Sequence, residues 1–332
     1  MLDVLIRGGR ILDGAGNPWF RGDVGIQDGR IEAVGRQLPG PAKLEIDAAK
    51  LIVAPGFIDM HSHSDLRRLA EPACSDKISQ GITTELLGQD GSSVAPVQPE
   101  QASARRRYLA GLLGNPPLDW DWPTFDAYLQ ALERTPGAPN ACTLVTHGAV
   151  RSFVMSMDNR PATRDEIDCM CALVAEAMEA GAFGLSTGLI YVPCCYAAPE
   201  ELSALYRVCA ERGGILVSHV RNEADLVVES IEEMIGIGRQ TGVPVHISHL
   251  KAIGPNNWGL MEPMLEHFSR TRSDGLDVTY DQYPYIAGST ILAAVLPAWA
   301  HEGGPDLLLG RLRETGQRQR IRQEIGEGIP GW

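Results

Sequence analysis

Ala54-Pro55-Gly56-Phe57-Ile58-Asp59-Met60-His61-Ser62-His63-Ser64-Asp65 is the stretch on which the fold turns. The apolar run Ile52–Met60 stops abruptly in two histidines with one residue between them. A run of that length suits a buried strand, and alternate residues of a strand share a face, so His61 and His63 are expected to point the same way. Neutral imidazoles at that spacing are ready ligands for zinc or a similar divalent ion. An H-x-H pair alone is a weak signal; its place at the end of an apolar run gives it weight.

Downstream the same texture recurs, in the runs Thr83–Gly88, Ala141–Thr146, Ala182–Thr187, Ile215–His219, Val243–His249 and Leu276–Tyr280. Helix-length segments such as Arg164–Ala180 and Ala224–Thr241 lie between them. Apolar strands alternating with helices imply a parallel sheet covered on both faces. This many βα units suits an α/β fold of the (β/α)8 TIM-barrel type, which takes about 250 residues. No fixed-period repeat points to a solenoid. Upstream, Val4–Ile6, Asp23–Gln27, Arg30–Val34 and Lys43–Asp47 read as short strands, with Asp28-Gly29 as a hairpin turn. The expected organisation is therefore a small β unit over residues 1–51 and a barrel over 52–332. No eighth run ending in Asp is found.

The formal net charge of −13 argues against a nucleic-acid partner, which needs clustered positive charge. Arg105-Arg106-Arg107 reads as a solvated helix face. No apolar run approaches the ~20 residues of a membrane helix, and MLDVLIRGGRILDG reads as a strand rather than a signal peptide. The seven cysteines form no CxxC pair, so reduced thiols and a cytoplasmic location are expected. Oligomeric state is not legible.

In a barrel the chemistry sits where strands end. Two further runs end in Ser218-His219-Val220-Arg221 and Ser248-His249-Leu250-Lys251, each with a cation two residues after the histidine and expected on its face. Four imidazoles at one rim are costly to bury unless a metal or hydrogen bonds satisfy them. His147 with Arg151 ends the third run, while His246 is expected on the face opposite His249 and His301 in a polar loop.

The stretch Ala54–His63, followed by single histidines ending runs five and six, resembles the amidohydrolase superfamily. Ser186–Tyr191, Ser218–Glu223, Ile247–Lys251 and Asp281-Gln282-Tyr283-Pro284-Tyr285 are similar, within it, to the N-acyl-D-amino-acid deacylases (D-aminoacylases). The resemblance implies a β-sandwich completed by C-terminal residues beside a barrel, one or two divalent ions, most naturally zinc, and hydrolysis of small N-acyl-D-amino acids. The implied metal ligands are His61, His63, Asp90, His219 and His249. Asp90 stands where these deacylases commonly carry a cysteine. An anionic substrate needs a cation in an acidic protein, which points to Lys251 and Arg221. Tyr191 and Tyr283 are candidate phenol donors to substrate or oxyanion. The family's general-base Asp ends strand eight and has no counterpart before Trp332. No catalytic base is therefore assigned, and the chain is expected to lack its C-terminal part and to bind metal without turnover. Were it active alone, Asp65 or Asp281 would be the first bases to test. Cyclic-amide hydrolases remain an alternative, although their carboxylated Lys is missing from Ser186-Thr187-Gly188. An isoaspartyl-dipeptidase-like enzyme and an inactive metal-binding scaffold also remain open.

Overall fold

Turn chemistry and alternation account for the first strands of the computed structural model, which describes residues 1–329 and 331. The chain divides into two compact units, Met1–Phe57 and Ile58–Trp332. The first holds β1 (Leu2–Ile11), β2 (Phe20–Gln27), β3 (Arg30–Gly35), β4 (Ala42–Asp47) and β5 (Ile52–Val53). They form one sheet in the order β3-β2-β1-β4, with β5 also on β1. Asp28 and Gly29 both take positive φ, as the tight β2–β3 turn requires. The buried Asp23 carboxylate accepts the Gly8 and Leu38 amides at 2.7 and 3.1 Å, satisfying backbone groups where the β1 register shifts.

β6 (Phe57–Asp59) starts at the boundary, and the second unit continues with β7 (Ile82–Leu87), β8 (Asn140–Thr143), β9 (Val145–Thr146), β10 (Gly184–Gly188), β11 (Ile215–His219), β12 (Val245–Ile247) and β13 (Val278–Tyr280). Each is hydrogen-bonded to the next in chain order, in the series β6-β7-β8 and β9-β10-β11-β12-β13. The pairings from β7 to β8 and from β9 to β13 are parallel. Backbone bonds from Phe183 to Thr143 and from Leu144 to Leu87, both 3.0 Å, carry the wall across the β8–β9 break. Helices connect the strands; Arg164–Ala180, for example, starts in a Thr163/Glu166 capping box and ends at Gly181, φ 117°. Leu185, Leu216, Val245 and Val278 are buried under these helices. This is a (β/α)-barrel-type fold; among the described residues no further strand flanks β13.

Three local expectations fail. The run Ile52–Met60 is two strands, because Pro55 lacks an amide and Pro55-Gly56 interrupts the ladder, leaving Ile52–Val53 with β1. The run Ala141–Thr146 likewise breaks at Leu144. Arg105 is buried, not solvated: its guanidinium donates to the carbonyls of Ser93 and Gly148 and to the Ser152 hydroxyl. Among the described residues no helix is long and apolar enough to cross a membrane, and all seven cysteines are free.

Candidate metal centre

Asp90 follows β7 in the turn Gly88-Gln89-Asp90-Gly91, whose residues 88, 90 and 91 have φ of 73°, 55° and 66°. A Cβ on Gly88 would collide with the Leu144 carbonyl, so only glycine lets the chain double back here. The turn delivers a buried carboxylate into a ring of imidazoles. Its Oδ2 lies 3.3 Å from both His61 Nε2 and His63 Nε2. Its Oδ1 lies 3.6 Å from His249 Nε2 and 4.0 Å from His219 Nδ1. Two ligand groups thus share one residue: His61, His63 and Asp90, and Asp90, His219 and His249.

His219 ends β11, whereas the others sit just past their strands. His61 and His63 follow β6, and His249 follows β12 in a turn with φ 37°. The five come together by the convergence of strand ends, not by alternation along one strand. The donor set fits a divalent ion, because Asp90 Oδ1 is buried without a hydrogen-bond partner while facing two imidazole nitrogens. Borderline nitrogen and carboxylate oxygen donors are a set that zinc accepts.

The charges are strongly coupled. Burial opposes a proton on His61, but Asp90 and Asp281 outweigh it and push its pKa up to about 10. His249 is similarly buried, yet Asp90 and Glu223 raise it to about 9. Desolvation dominates at His219 and drops it to about 4, leaving it neutral. Burial disfavours ionised Asp90, but His61 and His249 hold it well below the usual carboxylate range.

Lys251, Tyr191 and Tyr283 stand beside the histidines. The Tyr191 ring is 4.9 Å from His219, with its hydroxyl 3.0 Å from Thr290 Oγ1, and the Tyr283 ring is 6.1 Å from His249. Lys251 Nζ lies 2.5 Å from Glu223 Oε1 and 5.4 Å from the Tyr283 ring centre. Arg221 is a correction. Its guanidinium makes a bidentate pair with Glu233 at 2.9 and 3.1 Å and also donates to the Cys195 carbonyl. Strand β11 ends at His219, so the two-residue alternation does not carry to Arg221. His147 is wholly buried between Thr187 and Glu201, both its ring nitrogens engaged there. Asp65 is sequestered with Ser93 Oγ at 2.6 Å, and burial raises its pKa.

One residue, Glu223, escaped the sequence reading, and Asp281 was read only as a base to test. Glu223 sits 3.0 Å from His249 Nδ1, and Asp281 3.4 Å from His61 Nδ1. A carboxylate four residues past His219 was the available signal for Glu223. Asp281 stood in a quoted motif, but nothing in its spacing pointed to His61.

The amidohydrolase family model matches residues 44–312, a span that contains every residue gathered around Asp90. The chain is 41% identical to N-acyl-D-glutamate deacylase of Alcaligenes xylosoxydans xylosoxydans over 292 residues, 88% of this chain and 58% of that protein. Among solved structures, N-acyl-D-glutamate deacylase from Bordetella bronchiseptica, complexed with zinc and a phosphonate mimic of the tetrahedral intermediate, is 42% identical with a TM-score of 0.80. That match covers 86% of this chain and 59% of the other. A D-aminoacylase structure described with a binuclear metal center matches at 37% identity and a TM-score of 0.79, covering 87% and 60%. The chain therefore spans less than two thirds of these relatives' length. Parallel βα units, histidines converging at the strand ends and a match through all of them lead to one conclusion: the chain belongs to the amidohydrolase family.

Proposed function

We propose that this protein is a zinc-dependent hydrolase of N-acyl-D-amino acids, releasing a carboxylate and a D-amino acid. The observation that carries the reading is Asp90 between two imidazole pairs, with the Lys251 ammonium beside them. His61, His63, Asp90, His219 and His249 are the proposed ligands of one or two ions. A divalent ion held there would supply Lewis acidity toward a water and an amide carbonyl. This chain's own residues bind and orient. Lys251 offers its charge to the substrate carboxylate, Tyr283 walls the same side, and Tyr191 packs on His219. Arg221, committed to Glu233, is left out of the clamp.

No proton-transfer role is assigned. Among the described residues, Asp281 and Glu223 near the centre are already engaged by histidines and Lys251. We further propose that residues 1–51 contribute to a β-sandwich and 52–332 to the barrel, and that the free cysteines reflect a cytoplasmic location. The relatives named for D-glutamate and D-amino-acid substrates support the substrate class.

Protein expressed from its complete coding sequence and loaded with zinc is expected to hydrolyse N-acetyl-D-amino acids and to leave the L enantiomers intact. Chelation or Asp90→Ala should abolish turnover. Zinc uptake with no turnover of any N-acetyl-D-amino acid would make it a metal-binding scaffold instead.

A further inference from the structure

Asp281 follows β13 and reaches the centre from behind, outside the group gathered on Asp90. Its Oδ1 accepts the backbone N–H of His249 at 2.6 Å. Its Oδ2 lies 2.9 Å from His246 Nε2 and 3.4 Å from His61 Nδ1. His246 is fixed at its other nitrogen, 2.8 Å from Thr279 Oγ1. The backbone is anchored as well, with Leu250 donating to the Asp281 carbonyl at 2.9 Å and Asp281 to Ile247 at 3.2 Å. His249 needs a firm hold, since φ 37° is a conformation that a non-glycine residue adopts only when its surroundings impose it.

We propose that Asp281, braced by His246, is a positioning residue that ties the His61 ring to the backbone of His249 and so keeps the two ligand groups in register. One carboxylate spans both groups, since His61 belongs to the first and His249 to the second. The inference rests on the metal-centre reading above.

The chemistry follows from what a carboxylate can do. His61 Nδ1 is buried without a hydrogen-bond partner, and the acceptor facing it is Asp281 Oδ2 at 3.4 Å. A carboxylate only accepts, so once an ion takes the Nε2 lone pair His61 must keep its hydrogen on Nδ1, toward Asp281. An amide in the same place reverses this. The NH2 of Asp281→Asn donates to both imidazoles, and His61 must then keep its hydrogen on Nε2, on the metal side. His246 tolerates the change by donating from Nδ1 to Thr279 Oγ1. The amide oxygen still accepts the His249 N–H. Asp281→Asn therefore keeps size and backbone clasp while removing the ligand orientation, which separates positioning from packing.

The test is zinc titration of the metal-free protein against a competing chelator, with the visible spectrum of the cobalt-substituted protein as a second readout. Two binding steps are expected in the wild type. His61→Ala identifies the step that depends on the His61/His63 group. Asp281→Asn should weaken that step by about 10- to 100-fold, the scale at which partners of ligating histidines act. It should leave the step at His219 and His249 unchanged. Added to His61→Ala, it should have no further effect. Equal weakening of both steps, or no weakening, overturns the proposal. A wild type that takes up no zinc overturns the metal reading itself. If Asp281→Asn does not fold, His246→Gln takes its place: loss confined to the His61 step supports the role, and unchanged binding removes it.

Discussion

Lys251 is a cation in a site built of histidines and carboxylates, and its surroundings decide what it can do. The ammonium is 22% exposed, held by Glu223 at 2.5 Å and close to His249 Nδ1 at 2.8 Å. Glu223, drawn down to about 2 against its burial by His219, His249 and Lys251, supplies the neutralising charge. An ammonium has three donors, so a substrate carboxylate can become a further acceptor without displacing Glu223. Lys251→Ala should therefore lower kcat/KM for N-acetyl-D-amino acids by roughly 10- to 150-fold, the value of a charge-assisted hydrogen bond of about 1.5–3 kcal/mol. The corresponding substrate amides, lacking the charge, should lose far less. Equal losses would make Lys251 a structural partner of Glu223. At this scale the sequence was legible where a residue type is rare and its place on the chain informative: His61, His63, Asp90, His219 and His249 do converge. It was illegible where a long side chain chooses between partners, because Arg221 and Lys251 have identical spacing after a histidine. Only the packing of helix Val227–Thr241, which carries Glu233, sends Arg221 away.

Helices His147–Met155 and Pro199–Glu211 are joined by a buried ionic knot. Glu201 Oε1 lies 2.8 Å from His147 Nε2 and 3.0 Å from Arg151 Nε, all three side chains being fully buried. Breaking such a pair from one side costs more than the pair gains, since the remaining charges stay buried without compensation. Glu201→Ala should destabilise the protein by about 3–5 kcal/mol in denaturant melts. Burial opposes the proton on His147, but Cys194 and Glu201 raise its pKa to about 9. The ordinary value is about 6.5, so the contribution is complete below that pH and fades as pH rises through about 9. His147→Gln should flatten that slope in stability measured from pH 6 to about 10; an unchanged slope would mean that His147 is neutral in the fold. The sequence marked this pair only as the end of a run. Periodicity also placed the elements better than it divided them: Pro55 and Leu144 each cut an apolar run in two, for reasons of backbone pairing that composition does not carry.

Across the molecule, the proposed metal centre, drawn from four strand ends, would couple ion binding to the integrity of the wall. β6, β7, β11 and β12 precede or carry its proposed ligands, and among the described residues β13 has β12 on one side and no strand on the other. An ion held by those residues would bind the folded state and not the unfolded chain, and so would stabilise by mass action. Free zinc at 100 times its Kd contributes about 2.7 kcal/mol. In a domain of this size that raises Tm by roughly 5–10 °C. Protons compete for the same nitrogens. In the metal-free protein, His61 and His249 have pKa values raised to about 10 and about 9. Their pairing with Asp90 therefore stabilises the metal-free fold at low pH and is lost as pH climbs through those values. Zinc must expel the same protons, so its affinity runs the other way and grows with pH. The Tm gap between loaded and chelator-treated protein should widen steadily from pH 6 to pH 9 and close in Asp90→Asn. A gap independent of pH would place zinc on groups other than these histidines, and the absence of any gap would detach the ion from the fold altogether.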